Sequence, residues 1–207
     1  MVSLSWKKLE ALVRRYSLPT PKTIFVRSLE HAKKAAKEIK YPLVLKIFSE
    51  KGLHKTSIGG VVCDIKDENE LINAYNKISS NLKKTGINAE GFLVQENVNG
   101  VEVIVGVKQS NFGPAIAFGL GGIFVETLKD FSLRIAPVDR ENADEMIKEV
   151  RAYSILKSKK CNINSITNII TKISKLSINN KDIKEIDLNP VIVNNKGAKV
   201  VDIRIIK

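Results

Sequence analysis

Between Tyr41 and Val61 the chain gathers residue types that handle phosphate. Lys46 sits inside an apolar run, and His54, Lys55 and the pair Gly59-Gly60 follow in the next loop. A lysine flanked by Leu45 and Ile47 is costly to bury unless an anion pairs with it. Paired glycines let the backbone approach a ligand and present N–H donors to it. The competing explanation is a strand whose lysine reaches out to water, followed by an ordinary turn. The stretch alone does not choose between them.

A second constellation lies near the carboxyl end. Asp187 and Asn189 alternate with Ile186 and Leu188, so a strand there carries both oxygen-bearing side chains on one side. Asn194-Asn-Lys-Gly197 is a hairpin signal, and the returning strand holds Asp202, which a hairpin can bring opposite Asn189. Two carboxylates and an amide oxygen suit magnesium shared with phosphate oxygens. Two acids near a turn and a capping asparagine would leave the same spacing. Glu102 begins a strand after Val98-Asn-Gly100 and faces either a cleft or water. Gly119-Leu-Gly-Gly122 offers Gly121 and Gly122 as amide donors, although a glycine-rich turn alone is weak evidence. The chain has no P-loop pattern and no nucleophile elbow.

Helical spacing of Leu9, Leu12, Val13 and Tyr16 predicts a helix over Ser5 to Tyr16, ended by Pro19 and Pro21. Thr23 to Val26 is a strand candidate, and Ser28 caps a helix with Ala32, Ala35, Ala36 and Ile39 inward. The Lys46 strand, Leu43 to Ile47, and a strand over Gly60 to Ile65 flank the loop. Asp67 and Glu70 form a capping-box pattern ahead of Leu71, Ile72, Tyr75, Ile78 and Leu82. Gly91 to Glu96 is a strand ending in polar residues. Strands are then expected at Val101 to Lys108, Pro114 to Phe118 and Ser132 to Ile135, and helices at Asp139 to Val150 and Ile163 to Leu176. Strands at Asp182 to Leu188, which Pro190 should end, Val191 to Val193 and Ala198 to Ile203 close the chain. The fold class is α+β, in two lobes, 1–95 with the amino-terminal helix and 96–207, hinged near Gln95 to Val98.

The 207 residues suffice to bury a core, and 43% hydrophobic with 27% charged residues excludes wholesale disorder. The net charge of +12 fits anionic partners such as nucleotides, coenzyme A or an acidic protein. Nucleic acid is not expected, because the lysines are mostly dispersed and only 6% of residues are aromatic. Cys63 and Cys161 lack ligand spacing and read as two thiols in a reducing cytoplasm. Trp6-Lys-Lys-Leu-Glu10 breaks any signal-peptide run, and the uncharged stretch Phe112 to Val125 is short and glycine-rich, so no membrane role is expected.

Seven ordered blocks resemble one family. They are Tyr-Pro-Leu-Val-Leu-Lys46, His54-Lys-Thr-Ser-Ile-Gly-Gly60, Val94-Gln-Glu96, Gly100-Val-Glu-Val-Ile-Val-Gly106, Phe118-Gly-Leu-Gly-Gly-Ile-Phe-Val-Glu126, Asp187-Leu-Asn-Pro190 and Val201-Asp-Ile-Arg-Ile205. From about Ser5 to Ile206 the chain resembles the β subunit of ADP-forming acetate–CoA ligases, ATP-grasp proteins related to the β chain of succinyl-CoA ligase. It departs from the pattern at Ser57, where the family usually carries aspartate, and at Asn97, where it usually carries methionine.

The resemblance implies an ATP-grasp fold with ATP or ADP between the lobes. Lys46 would contact its phosphates, with Lys55, Gly59 and Gly60 nearby. Glu96 and the backbone to Val98 would meet the adenine, and Glu102 the ribose or phosphates. Asn189 and Asp202 would hold Mg2+, supported by Asp187. His54 would carry phosphate between a histidine of a CoA-binding α subunit and ADP, in acetyl-CoA + ADP + phosphate ⇌ acetate + CoA + ATP. An α2β2 heterotetramer is implied, and this chain should be inactive alone. The alternatives are a non-catalytic nucleotide-binding regulatory subunit, which would need neither His54 nor the metal hairpin, and another ATP-grasp carboxylate ligase.

Overall fold

The computed structural model describes residues 3–50, 55, 58–121 and 129–207. Its elements are α1 (Trp6–Arg15), β1 (Thr23–Val26), α2 (Leu29–Ile39), β2 (Leu43–Phe48), β3 (Val61–Ile65), α3 (Glu68–Thr85), β4 (Gly91–Glu96), β5 (Val101–Ser110) and β6 (Gly113–Leu120). They continue with β7 (Phe131–Ile135), α4 (Arg140–Glu149), α5 (Tyr153–Ser158), α6 (Ile163–Asn179), β8 (Glu185–Asn194), β9 (Gly197–Val200) and β10 (Ile203–Ile206). The first four strands make a sheet in the order β1-β4-β2-β3. The other six make a second, in the order β10-β8-β5-β6-β7 with β9 also on β8. The fold is α+β, as the alternating helical and strand patterns require.

Helices α2, α3, α4 and α6 each start where a side chain satisfies an orphan backbone donor. Ser28 Oγ accepts from His31 N in α2, and Asp67 Oδ1 accepts from Glu70 N at 2.8 Å in α3. The Glu70 carboxylate reaches back to Lys66 N at 2.7 Å, one position before the expected partner of a capping box. Asp139 and Asn162 cap α4 and α6 in the same way. Helices α2 and α3 cover one face of the first sheet, where Ala32, Ala36, Leu71 and Ile78 meet Leu43, Leu45 and Ile47. Helix α6 packs on the second sheet with Ile166, Ile169, Ile170, Ile173 and Leu176 all fully buried. Each such side chain contributes about 1.5–3 kcal/mol, so a charge at Ile170 would unseat the helix.

The second sheet differs from the sequence expectation at Pro190. The strand does not stop there: β8 runs through it to Asn194. Proline lacks only its N–H, and its carbonyl is used, accepting from Val201 N at 3.1 Å and Asp202 N at 3.3 Å. The irregularity falls on the neighbours instead. The β5–β8 register shifts between Val103 and Val105, and the returning strand breaks at Val201-Asp202 into β9 and β10. Gly119 and Leu120, read as turn, belong to β6, because fully buried Leu120 pairs with Val103. The short helix α5 was not foreseen.

The amino-terminal segment ties both sheets. Trp6 of α1 stacks on Phe25 at 6.3 Å and meets Phe48 edge-on at 5.7 Å, both from the first sheet. Just before it, Leu4 N donates to Ile205 O of β10 at 3.0 Å, and Ser3 N to Glu50 O at 3.1 Å. The larger apolar cluster accordingly runs from Leu4 and Leu9 through Phe48 and Leu93 into the second sheet and its helices. No helix among the described residues is long and apolar enough to cross a membrane.

Candidate active site

Every residue of β2 is buried, Lys46 included, with 3% of its surface exposed. Flanked by β4 and β3, the strand is an inner one of its sheet, and the Lys46 side chain lies on the face away from α2 and α3. There Nζ donates to Gln95 Oε1 at 3.1 Å and to Val201 O at 2.6 Å, across the seam to the second sheet. Asp202 Oδ1 lies 3.9 Å from the same ammonium. The lysine therefore faces inward and does not escape to water. Burial lowers its pKa from 10.5 to about 8; nearby Lys55 pushes the same way, against the pull of Asp202.

Asp202 is held by a second cation. Lys55 Nζ contacts both carboxylate oxygens, at 2.6 and 2.8 Å. Burial acts to raise the Asp202 pKa, yet the two lysines and the Ile203 N–H outweigh it and hold the carboxyl below the usual range. Registers Val191↔Val200 and Ile203↔Leu188 put Asp202 opposite Asn189, whose N–H donates to the Asp202 carbonyl at 3.2 Å. Asp187 lies on the same side of β8 as Asn189, paired with Arg204 of β10. Among the described residues no three His, Cys, Asp or Glu side chains converge on a metal position. The donor set is a carboxylate that already attracts cations, the Asn189 amide and a second carboxylate. It suits a hard cation whose remaining ligands are phosphate oxygens and water.

Gly59 adopts the left-handed conformation, φ 61°, and a Cβ there would meet Asn81 Nδ2 at 2.5 Å. At Gly60 a Cβ would lie 2.8 Å from Ile47 Cδ1. Its N–H is taken by Lys55 O at 2.7 Å, so within this structure Gly60 holds the loop against β2 rather than offering a free donor. Glu102 and Gly121 come together, with Gly121 N donating to Glu102 O at 2.9 Å. Burial raises the Cys63 thiol; Lys46 opposes it and Glu102 adds to it, so both charges act across the face that carries Cys63. His54 and Gly122 lie outside the described residues.

One cavity adjoins the cluster and a second meets it at Thr20. The first, about 290 Å³, is lined by Lys46, Lys55, Gln95, Val201 and Asp202 together with Trp6, Leu9 and Phe48. The other, about 430 Å³, is lined by Glu96, Asn97, Val98, Ile192 and Lys199. Thr20 borders both. Glu96 Oε2 accepts from Lys199 Nζ at 2.7 Å and from Lys22 N at 3.2 Å. The Lys199 bond is the main reason its pKa is lowered. Sequence reasoning named Lys46, Lys55 and Asp202 but missed Gln95, Lys199 and the Val201 carbonyl. Gln95 had a signal, a polar residue in a strand as apolar as β2; the other two depend on the break between β9 and β10.

The profile of the ATP-grasp domain matches residues 2–206. The β subunit of ADP-forming acetate–CoA ligase I from Pyrococcus furiosus is 41% identical over 203 residues, covering 94% of this chain and 88% of that one. ADP-forming acetate–CoA ligase II from Archaeoglobus fulgidus is 39% identical over 95% of this chain, which spans only 29% of that longer protein. Among solved structures, the dinucleotide-forming acetyl-coenzyme A synthetase 1 of Ca. Korarchaeum cryptofilum, in complex with coenzyme A and Ca-AMPCP, superimposes with a TM-score of 0.92. It is 39% identical, over 100% of this chain and 92% of that one. A second structure of that protein, with coenzyme A and Mg-AMPPCP, has a phosphohistidine segment pointing towards the nucleotide binding site; its TM-score is 0.82 at 38% identity, over 99% of this chain and 92% of that one. With the profile spanning nearly every residue and a β subunit matched along most of its length, the chain belongs to the ATP-grasp family and, within it, to the β subunits of ADP-forming acetate–CoA ligases.

Proposed function

We propose that this chain is the nucleotide-binding β subunit of an ADP-forming acyl-CoA synthetase that interconverts acetyl-CoA, ADP and phosphate with acetate, CoA and ATP. The observation that carries the reading is buried Lys46 at the seam of the two sheets, beside the Lys55–Asp202 pair. An ammonium fixed there, almost fully buried yet lining a cavity, is placed to meet the phosphates of a nucleotide. The lobes, 1–95 and 96–207, close on that nucleotide. Glu96 and Val98, which line the larger cavity, meet its base, and Glu102 with Gly121 and Gly122 meets its ribose and phosphate side. Lys55, Gly59 and Gly60 complete the phosphate end.

Asn189 and Asp202, supported by Asp187, would hold Mg2+, which when bound would supply positive charge to offset that of the phosphate oxygens. Lys46 orients the same oxygens, and the N-terminal helix with Trp6, Leu9 and Phe48 keeps bulk water from the far side of the cluster. His54 takes the phosphoryl group from a phosphohistidine of the CoA-binding α subunit: the P–N bond to that histidine breaks as one to His54 forms. The His54 P–N bond then breaks as the ADP β-phosphate oxygen bonds to phosphorus, giving ATP. The working assembly is an α2β2 heterotetramer in the cytoplasm.

The test is to rebuild the complex with its α subunit and label it from ATP or from phosphate plus acetyl-CoA. Acid-labile, base-stable label on this chain should vanish in His54→Ala and survive in His31→Ala, since His31 is an exposed residue of α2. Turnover of His54→Ala at the wild-type rate would end the carrier role.

A further inference from the structure

The second sheet has one face covered by α4 and α6 and one that no described helix covers. On β7, Ser132 Oγ donates to Met146 O and Arg134 pairs with Glu149, so these two residues face the helices. The alternating residues Phe131, Leu133 and Ile135 face the other way and are 48%, 53% and 45% exposed. β7 is the last strand of the sheet among the described residues. Three large apolar side chains on the open face of an edge strand are an aggregation liability for a chain that stands alone.

The pairing registers give this patch a direction. Leu133 pairs with Ala117, Ala117 with Gly106, and Gly106 with Asp187. One straight row therefore runs from the apolar edge to the carboxylate beside Asn189, about 14 Å away at about 4.8 Å per strand. Its middle carries no side chain larger than a methyl group. Among the described residues nothing demands the glycine there, since a Cβ on Gly106 would meet none of their atoms closer than 3.9 Å. At the far end Arg204, across from Asp187, has a buried Nε without an acceptor among the described residues. The row is thus a shallow trough, apolar at one end and carrying the Asp187 carboxylate and Arg204 at the other.

We propose that this face, anchored by Phe131, Leu133 and Ile135, is where the CoA-binding companion subunit docks, seating an apolar segment along the trough. The proposal rests on the β-subunit reading above. Two observations choose the occupant. In the single-chain relative from Archaeoglobus fulgidus the matched region is only 29% of the protein, so there a region like this one shares its chain with a much larger remainder for which an exposed apolar face is available. The open face is also the side of the second sheet on which Asp187 and Asn189 lie, next to Asp202, whereas α4 and α6 cover the other.

The test uses the full chain and its purified companion subunit, with association followed by sedimentation. Leu133→Asp and Ile135→Asp should each weaken association by about tenfold or more, as loss of a buried apolar anchor does. Ile178→Asp, an exposed apolar residue of α6 on the helical side, should leave it unchanged. Isolated Leu133→Asp should still bind Mg-ADP like the wild type, which separates a lost surface from a lost fold. Wild-type affinity in both β7 variants, or no association of the wild-type pair, overturns the proposal. So does a dimer of this chain alone that Leu133→Asp dissolves, which would give the face to self-association. Failure of the wild-type chain to bind nucleotide strikes the functional reading instead and leaves the docking result to be judged by association.

Discussion

Lys46 is the residue at which sequence and structure argue in the same terms. A charge in an apolar run is conspicuous in one dimension, and burial at 3% exposure explains why it must have partners. Those partners were only partly legible. Asp202 was picked out by the hairpin signal, but opposite Asn189 and not beside Lys46; Gln95 stood out as a polar residue in an apolar strand, yet its place near the strand end reads as solvent-facing. The lowered pKa has a consequence for stability. Between about 8 and 10.5 the folded chain has lost the Lys46 proton while the unfolded chain still binds it, so this group makes stability rise with pH across that window. The burial cost relieved is on the order of 3 kcal/mol. Lys46→Met should flatten that rise, measured as the difference in unfolding free energy between pH 7.5 and 9.5 relative to wild type. Parallel pH dependence in the two proteins would mean that Lys46 is not desolvated.

At the scale of elements, the strands and helices were legible wherever local chemistry decides them: caps at Ser28 and Asp67, the isoleucine stripe of α6, the hairpin turn before Gly197. What depends on a partner strand was not. Pro190 reads as a stop until its carbonyl is seen accepting from Val201 and Asp202. Likewise α5 is too short to show a period, and it is positioned from outside. The Asp130 carboxylate, 9% exposed, accepts from Arg151 N at 2.9 Å and Ala152 N at 2.8 Å, so it fixes the entry to α5 from the start of β7. Asp130→Ala leaves two amides without their acceptor and should cost about 1–3 kcal/mol of stability. Chemical denaturation would show it as a lower midpoint at unchanged slope, whereas an unchanged midpoint would mean water replaces the carboxylate at no cost.

The whole molecule is two antiparallel sheets joined at their seam by α1, by the Lys46–Val201 bond and by the Glu96–Lys199 pair. The seam brings Asp202 within 4 Å of both Lys46 and Lys55, although it is far from either along the chain. Motif order made the family legible, because seven blocks in sequence are far more specific than any one. The strand order of each sheet was not legible, since the pairing of β1 with β4, or of β8 with β5, leaves no local mark.

The central claim is that a magnesium nucleotide binds at this seam through Lys46 and the Asn189–Asp202 pair. Calorimetric titration of the isolated chain with ADP, in magnesium and in EDTA, tests it most directly. Wild type should bind more tightly with magnesium. Lys46→Met should bind at least about tenfold more weakly in both conditions, the scale of a lost charge-assisted hydrogen bond. Asp202→Asn should lose mainly the magnesium-dependent part. Unchanged affinity in Lys46→Met would contradict the account, because the nucleotide would then lie elsewhere.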